Sequence, residues 1–258
     1  MAGMKPAGLN LGGTLEVRVF ETVPELMDAA AGEVVRGAAE AVREHGFFAW
    51  VLSGGSTPRD LYRLLARPPY RDRLPWSAIH VFWGDERHVP PDHPESNFRM
   101  AREAMLDAVP LPPRNIHRIR AEEPDAAKAA KAYETELRAF FHGAGGDWPS
   151  FDLMLLGLGK DAHTASLFPG GEAVRESERL VVAPWVAAQN TFRITLTPPV
   201  LNHARLAVFL AAGDDKAEPL RAVLEGAHDP ERYPAQIVEG NRLWLVDRAA
   251  ARLLATAA

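Results

Sequence analysis

The chain contains no cysteine. That absence excludes a disulfide framework, a thiolate metal site and a cysteine nucleophile, and it suits a reducing, cytoplasmic compartment. No apolar run approaches the roughly 20 residues that cross a bilayer. The opening residues, MAGMKPAGLNLGGTLEV, lack the apolar core of a signal peptide. Nor is there an excess of positive charge: 29 Lys and Arg stand against 34 Asp and Glu, a formal net charge of -5 with both signs spread along the sequence. Neither a nucleic-acid footprint nor a polybasic membrane patch is present, although a local cationic pocket for a small anion is compatible with this balance. The Gly-Lys-Ser/Thr of a Walker A loop, a G-x-S-x-G nucleophile elbow and a G-x-G-x-x-G dinucleotide fingerprint are all missing.

What is present is a chain of 258 residues, 47% hydrophobic and 24% charged, enough for a substantial core. Residues 1–13 read as a flexible N-terminal tail, rich in Gly, Pro and Asn. No later break in composition marks a linker, so residues 14–258 are expected to form a single α/β domain. Strands are predicted at 15–20, 47–52, 79–83, 116–119, 151–156, 180–183, 192–196, 206–210 and 243–246. Helices are predicted over 24–45, from 58, over 96–106, over 124–141, from 217, and in the Ala-rich C-terminus. Gly46 is placed as the stop of the first long helix. Strands alternating with helices imply a mostly parallel sheet covered by helices on both faces.

The most informative stretch is FDLMLLGLGKDAHTASLFPG, residues 151–170. An apolar run broken only by Asp152 reads as a strand buried on both faces. It breaks at Gly157 and Gly159 into Lys160, Asp161, His163, Thr164 and Ser166. The carboxyl end of such a strand is where ligands bind in open α/β sheets. An imidazole titrates near neutrality, so His163 is a candidate for proton transfer, the ordinary alternative being a histidine that merely caps the turn.

Three further loops carry chemistry. Ser53-Gly54-Gly55-Ser56-Thr57-Pro58 joins a strand to a helix, where glycines and free N–H groups can receive an anion. The alternative is a capped turn with no ligand. Gly84-Asp85-Glu86-Arg87-His88 follows another strand. Arg87 can fork onto a phosphate or carboxylate while Asp85 or Glu86 orients it, although such a run is more often a surface ion-pair cluster. His88 and His93 lack a recognised metal-ligand spacing. Arg193, on a strand, and Lys216, after Gly213-Asp214-Asp215, complete a doubly charged anion site only if the sheet brings them to the same edge.

Together these blocks resemble the 6-phosphogluconolactonases of the bacterial and eukaryotic α/β type. The resemblance runs through SGGSTPRDLYRLLA, VFWGDERHVPPDHPESNFRMAREAML, FDLMLLGLGKDAHTASLFPG and RITLTPPVLNHARLAVFLAAGDDKAEPL to the closing WLVD. It implies a Rossmann-like three-layer α/β/α sandwich, shared with the glucosamine-6-phosphate deaminases. It also implies hydrolysis of 6-phospho-D-glucono-1,5-lactone without metal or organic cofactor. His163 falls at the family's catalytic histidine, and the catalytic group would also include Asp161 and Arg87. Substrate contacts would come from Gly54, Gly55, Ser56, Thr57, Asp85, Arg193 and Lys216. The expected partner is a small phosphosugar lactone, with no nucleic acid and no membrane; the chain is expected to be a monomer, a dimer being the alternative. One position departs from the family pattern: Ala162 stands where a Gly is usual between the Asp and His. If that position requires positive φ, the alanine costs about 1 kcal/mol.

Two other readings compete. A deaminase of the same fold also carries a D-G-H motif, but its motif tends to continue into Asn-Glu-Pro and its second loop reads DEY, where this chain has Thr164-Ala165-Ser166 and DER. A non-catalytic sugar-phosphate-binding protein, like the effector domains of some transcriptional regulators, would need a DNA-binding module, for which no basic recognition helix is evident.

Overall fold

A computed structural model describes residues 13–142 and 148–255. Most of the expected N-terminal tail, and residues 143–147 of the connector GAGGDWPS, lie outside the described residues. The strands are β1 (Leu15–Phe20), β2 (Phe48–Leu52), β3 (Ile79–Trp83), β4 (Asp85–Arg87), β5 (Ile116–His117) and β6 (Leu153–Gly157). They continue with β7 (Val181–Val182), β8 (Trp185–Val186), β9 (Thr191–Leu196), β10 (Ala207–Ala211) and β11 (Arg242–Asp247). The helices are α1 (Val23–His45), α2 (Ser56–Leu65), α3 (Tyr70–Arg73) and α4 (Asn97–Ala104). After them come α5 (Ala126–Phe140), α6 (Pro198–Asn202), α7 (Ala217–Glu225) and α8 (Arg248–Ala251).

Local chemistry sets the clearest boundaries. Thr22 caps α1 by accepting from Glu25 N–H while the Glu25 carboxylate accepts from Thr22 N–H, a reciprocal box worth about 1 kcal/mol. Pro24 occupies its first turn, and Gly46 ends it in the left-handed region at φ 90°. The stripe Leu26, Ala30, Val34, Ala38 and Ala41 is buried against the sheet. Strands β2 and β10 are buried at every residue, which explains their unbroken apolar sequences. Trp244 of β11 stacks flat on Phe209 of β10 with ring centroids 3.9 Å apart. Asp152, the one charge in its apolar stretch, is buried because its carboxylate accepts from Ala49 N–H at 2.8 Å and from the His45 ring at 2.9 Å.

Seven strands form a parallel sheet in the order β1-β11-β10-β6-β2-β3-β5. From β2 the chain steps outward through β3 to β5, and from β6 it steps the other way through β10 to β11. Loops leaving the carboxyl ends of β2 and β6 therefore diverge, which opens a crevice at the switch point. The strands predicted at 180–183 and 192–196 do not join this sheet. They form a second, antiparallel sheet in the order β4-β9-β7, with β8 also on β9. Residues 85–87, read from sequence as a loop, are its strand β4. Three charged residues carry no strand pattern, and their partner β9 lies more than a hundred residues away. Among the described residues no helix is long and apolar enough to cross a membrane.

Candidate active site

A cavity of about 350 Å³ lies over the switch point. Ser53, Gly54 and Gly55, after β2, form one wall; Gly157 to Lys160, with His163, Ala165, Ser166 and Phe168, form the opposite one. The small sheet supplies Asp85, Arg87 and Arg193, and the turn between β8 and β9 supplies Gln189, while Asn97 and Lys216 complete the lining. Four cationic side chains, Arg87, Arg193, Lys160 and Lys216, thus share the lining with one carboxylate, Asp85, a balance that suits a small anion even though the two lysines also pair with Asp215.

His163 is held from two sides. Its Nδ1–H donates to Asp161 Oδ1 at 2.5 Å, and its ring lies 4.4 Å from that of Phe168 at a tilt of 36°. A carboxylate only accepts, so Nδ1 carries the proton in the neutral ring and Nε2 keeps its lone pair. Burial opposes the Asp161 charge, but the His163 ring and backbone N–H hold its carboxyl below the usual range. Gly159 makes the arrangement possible: a Cβ there would come nearer than 3.0 Å to His163 Nδ1, His163 Cε1 and Asp161 Oδ1. Ala162 does adopt positive φ, at 63°, and Ala165 follows at 48°. The family's usual glycine at 162 would suit this turn, so the alanine carries a strain of about 1 kcal/mol. Its buried backbone is satisfied, N–H on Gly159 C=O and C=O on Ala235 N–H, both at 3.0 Å.

The two arginines sit in register on adjacent strands, Arg87 opposite Arg193. Like charges so placed repel one another. Burial first, and then Arg87, push the Arg193 pKa below its usual value. Arg193 Nε is buried with no hydrogen-bond partner among the described residues, whereas its terminal nitrogen donates to Gln189 Oε1. Arg87 donates to Glu95 C=O. An anion between the two guanidiniums would relieve the repulsion and pair the orphan donor.

Asp85 and Glu86, weighed above as partners for Arg87, do different work. Asp85 Oδ2 accepts from Ser166 Oγ–H at 2.6 Å, joining the small sheet to the histidine loop. Glu86 points inward and accepts from Asn97 N–H at 2.7 Å, Phe98 N–H at 2.8 Å and Ser96 Oγ–H at 3.0 Å. It thus caps α4; burial still pushes its carboxyl pKa up against those bonds. His88 is turned away onto Glu123 C=O, and His93 accepts from Glu95 N–H.

Gly54, Gly55, Asp85, Arg87, His163, Arg193 and Lys216 are brought together as expected from sequence, with Asp161 behind His163. Ser56 and Thr57 are not part of the lining; they open α2. That helix begins at Gly55 with no side-chain cap, so its first N–H groups stay available to a ligand. Lys160 and Lys216 share Asp215, at 3.7 and 3.4 Å. Asn97 and Gln189 were not anticipated. Asn97 Nδ2 donates to Asp85 C=O at 3.0 Å, and its amide lies against Gly54, where a Cβ would clash with all three amide atoms. Neither residue has a local motif to announce it.

A switch-point crevice in a parallel sheet, lined by cations and carrying an Asp-oriented histidine, defines an α/β enzyme acting on a phosphorylated sugar. Comparison with known proteins makes this specific. The model of the glucosamine-6-phosphate isomerase/6-phosphogluconolactonase family matches residues 21–246, and the chain belongs to that family. It is 46% identical to the 6-phosphogluconolactonase of Synechocystis, over 82% of this chain and 86% of the relative. The solved structure of the 6-phosphogluconolactonase from Trypanosoma cruzi superposes with a TM-score of 0.81 at 30% identity, covering 94% of this chain and 97% of that one. A monomeric glucosamine-6-phosphate deaminase shares the fold, with a TM-score of 0.79 at 21% identity, over 92% of this chain and 99% of that one.

Proposed function

We propose that this chain hydrolyses 6-phospho-D-glucono-1,5-lactone to 6-phospho-D-gluconate, the second step of the oxidative pentose phosphate pathway, with His163 as general base. The observation that carries the reading is the Asp161–His163 pair facing a cavity ringed by Arg87, Arg193, Lys160 and Lys216. In this reading Gly54, Gly55, the uncapped α2 N-terminus, Arg193 and Lys216 take the phosphate. Asp85 accepts from a sugar hydroxyl. The anchored phosphate then holds C1 near His163, converting an encounter into an effectively intramolecular reaction.

Chemistry follows from the protonation state. Nε2 of neutral His163 removes a proton from water as the water oxygen bonds to C1, and Asp161 stabilises the imidazolium that forms. The carbonyl oxygen of C1 takes up negative charge, which Arg87 stabilises in this reading, backbone N–H groups being the alternative donors. Collapse of the tetrahedral species breaks the bond from C1 to the ring oxygen, and His163 returns its proton to that oxygen. Arg87 lies where deaminases of this fold tend to have tyrosine, which favours lactone hydrolysis over amine release. We read the enzyme as cytoplasmic, in keeping with its lack of cysteine.

His163→Gln tests the reading. Hydrolysis of freshly made lactone, coupled to phosphogluconate dehydrogenase and compared with the spontaneous rate, should fall by about 100-fold or more. Binding of 6-phosphogluconate should stay within about threefold. Near-wild-type turnover would sink the assignment, and ammonia release from glucosamine 6-phosphate by the wild type would move it to the deaminases.

A further inference from the structure

Two strands end beside the cavity in the same unusual way. Beyond Leu52 no neighbouring strand serves Ser53, and both of its main-chain groups go to one side chain. Ser53 N–H donates to Tyr62 Oη at 2.9 Å, and the Tyr62 hydroxyl donates to Ser53 C=O at 2.8 Å. At the end of β3, Tyr133 holds Trp83 likewise, at 3.0 and 3.1 Å. There β5 pairs only as far as His117 opposite Phe82, and Tyr133 takes over where the ladder stops. Both tyrosines are fully buried. A phenol suits the task because one hydroxyl both accepts and donates. Neither backbone group of Ser53 can lose that partner without a cost, because both bonds are buried.

Tyr62 differs from Tyr133 in what it closes. It lies on α2, whose N-terminus begins three residues after Ser53. The hydroxyl therefore closes a ring from the end of β2 through Gly54 and Gly55, along the first turns of α2, and back to Ser53. The curvature of the Gly54-Gly55 segment, and hence the direction of its N–H groups, depends on that closure. Asn97 packs against Gly54 from the other side and leaves the segment no room to relax that way.

We infer that Tyr62 is a positioning residue for the phosphate subsite. Its hydroxyl holds Ser53 so that the Gly54 and Gly55 N–H donors and the α2 N-terminus converge on one anion. The inference rests on the reading of this loop as the phosphate anchor.

Tyr62→Phe removes one oxygen and no carbon. The deciding quantity is the inhibition constant of inorganic phosphate in the lactonase assay, which should rise about tenfold with a parallel rise in KM and kcat within about threefold. Tyr133→Phe loses an equivalent pair of bonds and should lower Tm comparably while leaving the phosphate constant within about twofold. A Tyr62→Phe constant within twofold of wild type, or an equal rise in Tyr133→Phe, overturns the inference. Lys216→Ala separates it from the reading beneath: if that variant weakens phosphate and Tyr62→Phe does not, only the positioning role fails. If Lys216→Ala has no effect, the phosphate reading fails and takes the inference with it. Should Tyr62→Phe not fold, amide hydrogen exchange of the wild type decides. Ser53 N–H should exchange as slowly as the β2 core, and exchange at the rate of exposed loop amides overturns the proposal.

Discussion

Alanine at position 159 would put a methyl group closer than 3.0 Å to two atoms of the His163 ring and to Asp161 Oδ1. The Gly159 backbone is not in the left-handed region, so the main chain itself tolerates the change. Gly159 N–H donates to His163 C=O at 2.9 Å, so the loop cannot swing away without losing that bond. The ring must yield instead, by roughly 1 Å or more, a displacement that costs on the order of 100-fold in rate. It has somewhere to go, because the His163 side chain is 30% exposed. The fold should therefore survive, helped by the gain of about 0.4–1 kcal/mol that Gly→Ala brings through the unfolded chain. Gly159→Ala is thus expected to lose about 100-fold in kcat with Tm near that of the wild type and 6-phosphogluconate binding within about threefold. Coupled lactonase kinetics against the spontaneous rate measure the first, and thermal unfolding and product inhibition the others. Because Asp161→Asn disrupts the same pair, adding it to Gly159→Ala should cost much less than the product of the two single losses. A Gly159→Ala enzyme within threefold of wild-type kcat would refute the argument that the Asp161-oriented ring is the reacting group.

Replacing Ala162 by glycine relieves about 1 kcal/mol of positive-φ strain. It also deletes a buried methyl worth about 0.8 kcal/mol and loosens the unfolded chain, so denaturant unfolding should give a net change within about 1 kcal/mol. A gain above about 2 kcal/mol would mean that the strain is larger than a single residue at φ 63° explains. A second measurement concerns the far end of the sheet, where His117 donates from Nδ1 to Glu136 at 2.8 Å and its Nε2 accepts from His80 Nδ1–H at 3.1 Å. Burial, then His117 and Arg114, lower the His80 pKa from 6.5 to about 4. The unfolded chain therefore binds a proton that the native state refuses, and stability falls as pH drops from about 6.5 towards 4. At pH 5 the loss would be about 2 kcal/mol if fully transmitted, and about 1 kcal/mol for this half-buried ring. Denaturant unfolding at pH 7 and pH 5 should show that difference in the wild type and a smaller one in His80→Phe; equal slopes in both would contradict it.

The elements that were legible in the sequence are those whose determinants are local. Strand β2 is apolar throughout because both of its faces are covered, and α1 carries its own cap, stripe and glycine stop. Strand β4 was not legible: Asp85, Glu86 and Arg87 are charged, and what makes them a strand is β9. Glu86 shows the same limit. Its sequence neighbours suggest an ion-pair partner for Arg87, but burial against the α4 N-terminus turns its carboxylate onto backbone N–H groups instead. Ser56 and Thr57 were expected as phosphate ligands, yet the cavity is lined by the glycines that precede them.

The sequence by itself determined the order of the central-sheet strands and the long helices between them, the glycine-rich turns at the ends of β2 and β6, and the closeness of Asp161 to His163. Those two residues are only two positions apart, so one turn of backbone joins them. Tertiary structure alone decided that the loops after β2 and β6 face each other across a switch point. It also decided that Arg87 lies opposite Arg193, and that Ser166 reaches Asp85 across 81 residues of chain. No local pattern encodes such pairings, because their free energy exists only once the sheet has brought distant segments within a few ångströms. The backbone angle of Ala162 belongs to the same class: the loop that Gly159, His163 and Ala235 close around it imposes the positive φ, against the preference of the residue itself.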